Sequence, residues 1–94
     1  MAPKSAKPAL PSSFTLAGFT WLVVMREDLS ECGRCDSSTQ IIYIRAGMNE
    51  QMTQQTFFHE LVHAIMFAMG KTVHDEEFTD IFGSFLHQYD KTKS

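Results

Sequence analysis

The 94-residue sequence has little of what membrane, nucleic-acid-binding and disulfide-stabilised proteins depend on. It carries two cysteines, three prolines and a net charge of −3, and its eight Lys and Arg residues are scattered along the chain. Without a basic cluster there is no electrostatic case for a nucleic-acid surface. The apolar run at residues 14–25 is too short to span a membrane. We therefore expect neither nucleic-acid nor membrane partners, and cytoplasmic is the default location.

The two cysteines, Cys32 and Cys35, form a single CxxC motif. Such a motif occurs as a redox pair, as half of a zinc site or as a disulfide within a turn. A four-cysteine structural zinc site needs a second pair, and the chain has no other cysteine. We interpret the motif as two thiols in a surface turn.

The domain organisation follows from where the prolines lie and from chain length. All three prolines fall within the first 11 residues, so residues 1–13 are predicted to form a flexible arm. Residues 14–94 are long enough for one hydrophobic core and too short for two. The 44% hydrophobic content is that of a globular protein. A single domain at 14–94 is the prediction.

Two segments have the composition of β-strands. Residues 20–25 are continuously apolar and rich in β-branched and aromatic side chains, which favours a strand buried on both faces. Residues 40–45 form the second strand. The polar stretch between them, residues 26–39, is predicted to be a connection with room for a short extended piece.

Two segments have helical periodicity. Residues 49–69 predict one long, mostly buried helix, with Asn49 as the N-cap and Gly70 as the left-handed stop. A second helix is predicted at about 72–89, where large apolar residues recur at helical spacing: Phe78, Ile81, Phe82, Phe85 and Tyr89. The predicted fold class is α+β, a small sheet of two to three strands packed on a two-helix hairpin.

The first helix carries a His59-Glu60-Leu61-Val62-His63 motif. Residues four apart lie on one helix face, so both imidazoles can reach one metal ion, and Glu60 borders the open side of that ion. Two His and one Glu would be costly to bury in so apolar a helix without a partner or a metal. The motif therefore predicts a metal site with Glu60 as general base.

Catalytic zinc usually takes three protein ligands and a water, so a third ligand is required. In an antiparallel hairpin turning near Gly70, Glu76 would lie level with His63. Asp80 would lie level with His59 and could accept a hydrogen bond from its free ring nitrogen. Gly83 would let the two helices approach closely. Glu76 is the preferred third ligand by this geometry, and His74 and Glu77 remain alternatives.

The motif and the acidic segment after it resemble those of known enzymes. HELVHAI, followed by Glu76-Glu77-Phe78-Thr79-Asp80, is similar to the HExxH and Glu-x-x-Ser/Thr/Ala-Asp pattern of gluzincins. Among these it resembles the small ImmA/IrrE-like metallopeptidases of bacteria and their phages, over residues 40–89. The resemblance implies a zinc peptidase with His59, His63 and Glu76 as ligands, Glu60 as base and Asp80 behind a ligand. The run from His74 to Phe78 also resembles a SprT-like protease segment, which would imply a histidine ligand.

These observations predict a zinc-dependent peptidase that holds one Zn²⁺ and hydrolyses a protein or peptide substrate. Candidates to help polarise the carbonyl are Tyr43, Arg45 and His87, and the strand at 41–44 could pair with an extended substrate. The main alternative is a non-catalytic module braced by zinc, because so short a chain offers little wall for a substrate cleft. A zinc hydrolase acting on another bond is more remote.

Overall fold

The protein is an α+β fold of four strands and two helices. The structure, a computed structural model, describes residues 10–93. In chain order the elements are β1 (Ser13–Leu16), β2 (Phe19–Arg26), β3 (Gly33–Asp36), β4 (Ile41–Arg45), α1 (Glu50–Ala68) and α2 (Glu76–Thr92). The strands form one sheet in the order β1-β2-β4-β3. In residues 10–93 no helix is long and apolar enough to cross a lipid bilayer.

The sheet has four strands rather than the predicted two or three. A two-residue hairpin joins β1 to β2 through Ala17 (φ 51°) and Gly18 (φ 83°), and β1 pairs antiparallel with β2. A turn with positive φ at both central positions has a backbone twist that matches the right-handed twist of the two strands it joins. Ala at such a position is uncommon, so residues 17 and 18 carry no clear turn signal. Residues 1–9 of the predicted arm lie outside the described residues, whereas Leu10 packs against the core.

The fourth strand comes from the segment predicted to be a connection. Residues Gly33–Asp36 form β3, which pairs antiparallel with β4 at the edge of the sheet. The predicted second strand is confirmed as β4. β4 pairs parallel with β2 on the side away from β3. β4 is therefore an internal strand, and the free edges of the sheet are β1 and β3.

The prediction that the first apolar segment is buried on both faces is wrong. Within β2 only Trp21 is fully buried, while Leu22 and Met25 are about half exposed. Helix α1 covers one face of the sheet, where Trp21 packs with Ile42, Ile44 and other core residues. The opposite face has no covering layer within residues 10–93.

Helix α1 lies between the sheet and α2, and this central position explains why it is apolar on nearly every side. Asn49 is the N-cap, accepting a hydrogen bond from the Met52 backbone N–H, and Gly70 (φ 86°) follows the end of the helix, as predicted. Every residue from Thr53 to Phe67 is buried or half-buried. The prediction of a long, mostly buried helix is confirmed.

Helix α2 begins later than predicted, at Glu76, because the Asp75 carboxylate caps it. That carboxylate accepts hydrogen bonds from the backbone N–H groups of Glu77 and Phe78. The side of α2 that contacts α1 carries Thr79, Gly83 and His87, all buried. Its large apolar side chains point the other way.

Candidate metal centre

The two helices form the predicted antiparallel hairpin, and its register decides which residues meet. His63 lies opposite Glu76, His59 lies opposite Asp80, and Gln55 lies opposite His87. The step from His63 to His59 along α1 matches the step from Glu76 to Asp80 along α2, which is four residues in each helix. From His59 to Gln55 the matching step along α2, from Asp80 to His87, is seven residues.

Gly83 sets the distance between the helices at the site. A Cβ added there would lie 3.0 Å from the Cα and 3.1 Å from the N of His59, and 3.2 Å from the carbonyl carbon of Phe58. These are backbone atoms, which cannot rotate away. The prediction that Gly83 permits close approach is confirmed, and this approach brings the α2 carboxylates within reach of His59.

The Glu76 carboxylate lies between the two imidazoles of the motif. Its Oε1 is 3.3 Å from Nε2 of His59, and its Oε2 is 3.3 Å from Nε2 of His63. Ligand atoms on a tetrahedral zinc, at bond lengths of about 2.1 Å, stand roughly 3.4 Å from one another. One ligand atom from each of the three residues lies within 4.8 Å of the other two. The separations and the donor types fit a divalent metal ion such as zinc.

Both ring nitrogens of His59 face carboxylates of α2. Its Nδ1 is 3.5 Å from Oδ1 of Asp80, while Nε2 faces Glu76. A proton held on Nδ1 towards Asp80 leaves the Nε2 lone pair free for a metal, which is how a carboxylate behind a ligand fixes its tautomer. The geometry is that predicted for Asp80.

His74 lies behind His63 rather than beside the metal position. Its Nδ1 is 2.6 Å from Nδ1 of His63, and its Nε2 is 2.7 Å from the backbone carbonyl of Lys71. A carbonyl only accepts, so the His74 proton sits on Nε2, and His74 Nδ1 must accept from His63. His63 then keeps an unprotonated Nε2 towards Glu76. Burial also lowers the pKa of His63, which favours the neutral ring that a metal requires.

Glu60 is held in a buried position between α1 and β3. Its side chain is 8% exposed, and burial raises the pKa of its carboxyl group from 4.5 to about 7. It packs against Gly33, where an added Cβ would lie 2.6 Å from Cγ2 of Thr56 and 3.0 Å from Cγ of Glu60. A larger residue at the start of β3 would therefore force the side chains of Thr56 and Glu60 to shift.

An open cleft of about 500 Å³ lies over the three candidate ligands. β3 forms one wall with Gly33, Arg34 and Cys35, and α1 forms the floor. The opposite wall consists of residues from the end of α1 to the start of α2: Phe67, Thr72, His74 and Glu76. This volume is within the range of ligand-binding pockets. The short chain therefore does provide walls around the site.

Several residues singled out from the sequence lie elsewhere. Tyr43, Arg45 and His87 do not line the cleft, and Glu77 is outside the ligand group. Arg45 donates to the Ser30 carbonyl, and the Arg26 guanidinium lies over the Tyr43 ring. His87 is buried, with Nδ1 2.7 Å from Oε1 of Gln55. These contacts explain the positions of Tyr43, Arg45 and His87, and they involve no residue of the ligand group.

The cysteines are half-buried on and beside β3 rather than in a surface turn. Both thiols are free, and Cys35 lines the cleft. Burial raises the pKa of the Cys35 thiol to about 12, so it remains protonated and unreactive at neutral pH.

A scan against protein-family models, a search of curated proteins and a search of solved structures found no match.

Two contributions to the site were missed from the sequence. One is the contact of His74 with His63, which depends on the conformation of the loop at residues 70–75. The other is the requirement for glycine at position 33, which depends on β3 lying against Glu60. Neither role can be read from the neighbouring sequence, since His74 lies in a loop and Gly33 lies within the CxxC motif.

We expect His74→Phe to weaken zinc binding about tenfold or more, since loss of a partner behind a metal-binding histidine typically costs 10- to 100-fold in metal affinity. His74→Asn should retain most of the affinity, because its amide oxygen can accept the hydrogen bond from Nδ1 of His63. Competition with a zinc chelator measures both. If Asn weakens binding as much as Phe does, His74 is a ligand and the assignment above is wrong.

Proposed function

We propose that this protein is a zinc-dependent peptidase in which His59, His63 and Glu76 hold one Zn²⁺ and Glu60 is the general base. The observation that carries the proposal is the placement of the Glu76 carboxylate 3.3 Å from the Nε2 atoms of both motif histidines, at the floor of an open cleft. Three ligands with an accessible fourth side is the arrangement of catalytic rather than structural zinc. A cytoplasmic location stays a prediction.

The bound zinc would supply a Lewis acid that activates a water and polarises the scissile carbonyl. The chain's own residues prepare for this role in two ways. Asp80 and His74 hold protons on the far ring nitrogens of His59 and His63, so both Nε2 lone pairs face the same point. Gly83 keeps α2, and therefore Glu76, against α1.

Glu60 would take the proton from the attacking water and transfer it to the leaving amine. A base that accepts and returns a proton works best when its pKa is near the working pH. The buried setting of the Glu60 carboxyl between α1 and β3 raises its pKa in that direction. The same residue lines the cleft, so its carboxylate is accessible to a bound water.

We infer that the substrate is an extended protein or peptide segment that lies along β3. The strand that the sequence predicts for this contact, at 41–44, is part of β4, which is internal and has no free edge. β3 is an edge strand, and its residues Gly33, Arg34 and Cys35 line the cleft. An extended peptide can add to such an edge through main-chain hydrogen bonds, which favours broad sequence selectivity.

The alternative of a non-catalytic zinc-braced module rested on the lack of a substrate cleft. The cleft of about 500 Å³ over the ligands supports the peptidase instead. The buried position of Glu60 also supports a general base, because burying a carboxyl group is costly and a purely structural zinc site does not need one beside its ligands.

The zinc content of protein isolated without added metal tests the proposal. We expect one zinc per chain in the wild type and in Glu77→Ala, and loss of zinc in Glu76→Ala. Glu77 is the matched control because it is the neighbouring acid of the same helical turn and lies outside the ligand group. Circular dichroism of each variant checks folding. A wild-type protein without zinc, or Glu76→Ala that retains it, would contradict the proposed ligand set.

A further inference from the structure

A second cavity adjoins the cleft. It has a volume of about 280 Å³ and shares three lining residues with the cleft, Gly33, His59 and Glu60. Its other walls include Thr56 of α1 and Asp80 of α2. We call this cavity the side pocket. Pockets that hold a whole ligand usually measure about 300–1,000 Å³, so the side pocket suits one part of a larger ligand that lies in the cleft.

The hydrogen-bonding pattern of β3 shows which of its residues are free to bind the backbone of a substrate. The Arg45 N–H donates to the Cys32 carbonyl, and the register places these two residues opposite each other, so they form a hydrogen-bonded pair. In antiparallel strands such pairs alternate with pairs that make no hydrogen bond. Arg34 therefore also bonds to β4. The backbone N–H and C=O groups of Gly33 and Cys35 point to the free edge instead.

A substrate strand on this edge would direct one of its side chains into the side pocket. Gly33 faces α1, since a Cβ added to it would lie 2.6 Å from Cγ2 of Thr56 and 3.0 Å from Cγ of Glu60. Paired residues on neighbouring strands carry their side chains on the same face of the sheet. The substrate residue paired with Gly33 therefore points its side chain towards α1, beside which the side pocket lies.

The side pocket has the charge and shape for a long cationic side chain. Glu60 and Asp80 supply carboxyl groups to its walls, and no Lys or Arg of residues 10–93 lines it. One Asp80 oxygen is 3.5 Å from Nδ1 of His59, and the other has no partner within residues 10–93. Asp80 lies on α2, so a side chain that begins beside β3 has to pass over α1 to meet it. Lys and Arg combine a long apolar stem with a charged end.

We propose that the side pocket binds a lysine or arginine side chain of the substrate and that Asp80 selects its positive charge. The inference rests on the proposed function, because it assigns one substrate side chain of that peptidase. Main-chain hydrogen bonds to Gly33 and Cys35 hold the substrate segment, and the residue paired with Gly33 fills the side pocket. The residues on either side of it point away from α1, because side chains alternate along a strand. The preference for a basic residue therefore falls on one position of the substrate.

Binding of two peptides to zinc-loaded Glu60→Gln tests the side pocket without cleavage. The peptides are identical, neutral and unstructured except for one residue, which is lysine in the first and norleucine in the second. Norleucine keeps the stem of lysine but lacks its ammonium group. We expect the lysine peptide to bind about two- to fivefold more tightly, as for an exposed ion pair, and the difference to shrink as salt is raised. Fluorescence anisotropy measures both affinities. Equal affinities at low salt overturn the proposal.

Adding Asp80→Asn to Glu60→Gln tests which residue selects the charge. Most of the preference for lysine should be lost, whereas adding Glu77→Gln should preserve it, because Glu77 lines neither the cleft nor the side pocket. The ratio of the two peptide affinities is compared within each sample. This ratio does not depend on zinc occupancy, which Asp80→Asn lowers through its contact with His59. A full preference for lysine in the Asp80→Asn variant overturns the assignment.

Cleavage by the wild type separates failure of this inference from failure of the proposed function. Mass spectrometry of a peptide mixture locates the cleaved bonds, and lysine or arginine should be enriched at one fixed position relative to them. Cleavage without such enrichment overturns the side-pocket assignment and leaves the peptidase. A wild type that cleaves no peptide, while Glu60→Gln still prefers the lysine peptide, overturns the peptidase and leaves the side pocket as a binding site for a basic side chain.

Discussion

Replacing Glu60 by Gln is expected to abolish most peptide hydrolysis while leaving the zinc content unchanged. The amide keeps the shape of the side chain but cannot take a proton, and loss of a general base typically lowers the rate about 100- to 10,000-fold. Zinc should be retained because Glu60 is outside the ligand group. The measurement is cleavage of a mixture of unstructured peptides by mass spectrometry, with elemental analysis of the same samples.

Glu77→Gln is the matched control for this prediction, since it makes the same chemical change at the exposed acid next to Glu76, which neither lines the cleft nor belongs to the ligand group. It should cleave at the wild-type rate. Cleavage by Glu60→Gln at the wild-type rate would remove Glu60 from the mechanism. A wild type that carries zinc but cleaves none of the peptides would favour the non-catalytic alternative.

The same variant should change the stability of the metal-free protein in a pH-dependent way. Burial raises the pKa of Glu60 from 4.5 to about 7 in the folded state. Between these values the folded state binds more protons than the unfolded state, so its free energy of unfolding falls as pH rises from about 4.5 to 7. Glu60→Gln lacks this loss, so at pH 8 its free energy of unfolding should exceed that of the wild type by about 3 kcal/mol. Urea unfolding with chelator present measures the difference.

Gly83→Ala is expected to have the largest effect of any single methyl addition near the site. The new Cβ would meet three backbone atoms of His59 and Phe58 at 3.0–3.2 Å, so α2 must move away from α1. Overpacking of this kind costs about 1–3 kcal/mol, against a gain of about 1 kcal/mol from the better helix propensity of alanine. The displaced helix carries Glu76 and Asp80 with it, so zinc affinity should fall at least about tenfold.

Ser84→Ala separates these two effects because Ser84 is the next residue and is exposed. It gains helix propensity without a clash, so it should be as stable as the wild type or slightly more, with unchanged zinc affinity. Thermal unfolding and chelator competition on both variants provide the comparison. If Gly83→Ala binds zinc as tightly as Ser84→Ala does, close approach of the helices is not required at the site.

The parts of the fold that follow local rules were predictable. Asn49 caps α1 and Gly70 follows its end, because capping and left-handed stops depend on neighbouring backbone groups. The position of Glu76 opposite His63 was predictable from the geometry of an antiparallel helix hairpin alone. In contrast, β1 was missed, because its Ala-Gly turn has no strong local pattern. β3 was predicted only as a short extended piece in a connection, because a polar four-residue strand forms through its pairing with β4.

From the sequence alone it follows that two imidazoles share one face of a helix with a carboxylate beside them, since a helix repeats every 3.6 residues whatever surrounds it. Three features emerge only when the elements pack together: Glu76 rather than His74 faces the Nε2 atoms, β3 rather than β4 borders the cleft, and the apolar side of α2 points outward. Each of these depends on contacts between residues far apart in the chain. Side-chain spacing specifies which residues share a face, and packing between elements determines what that face meets.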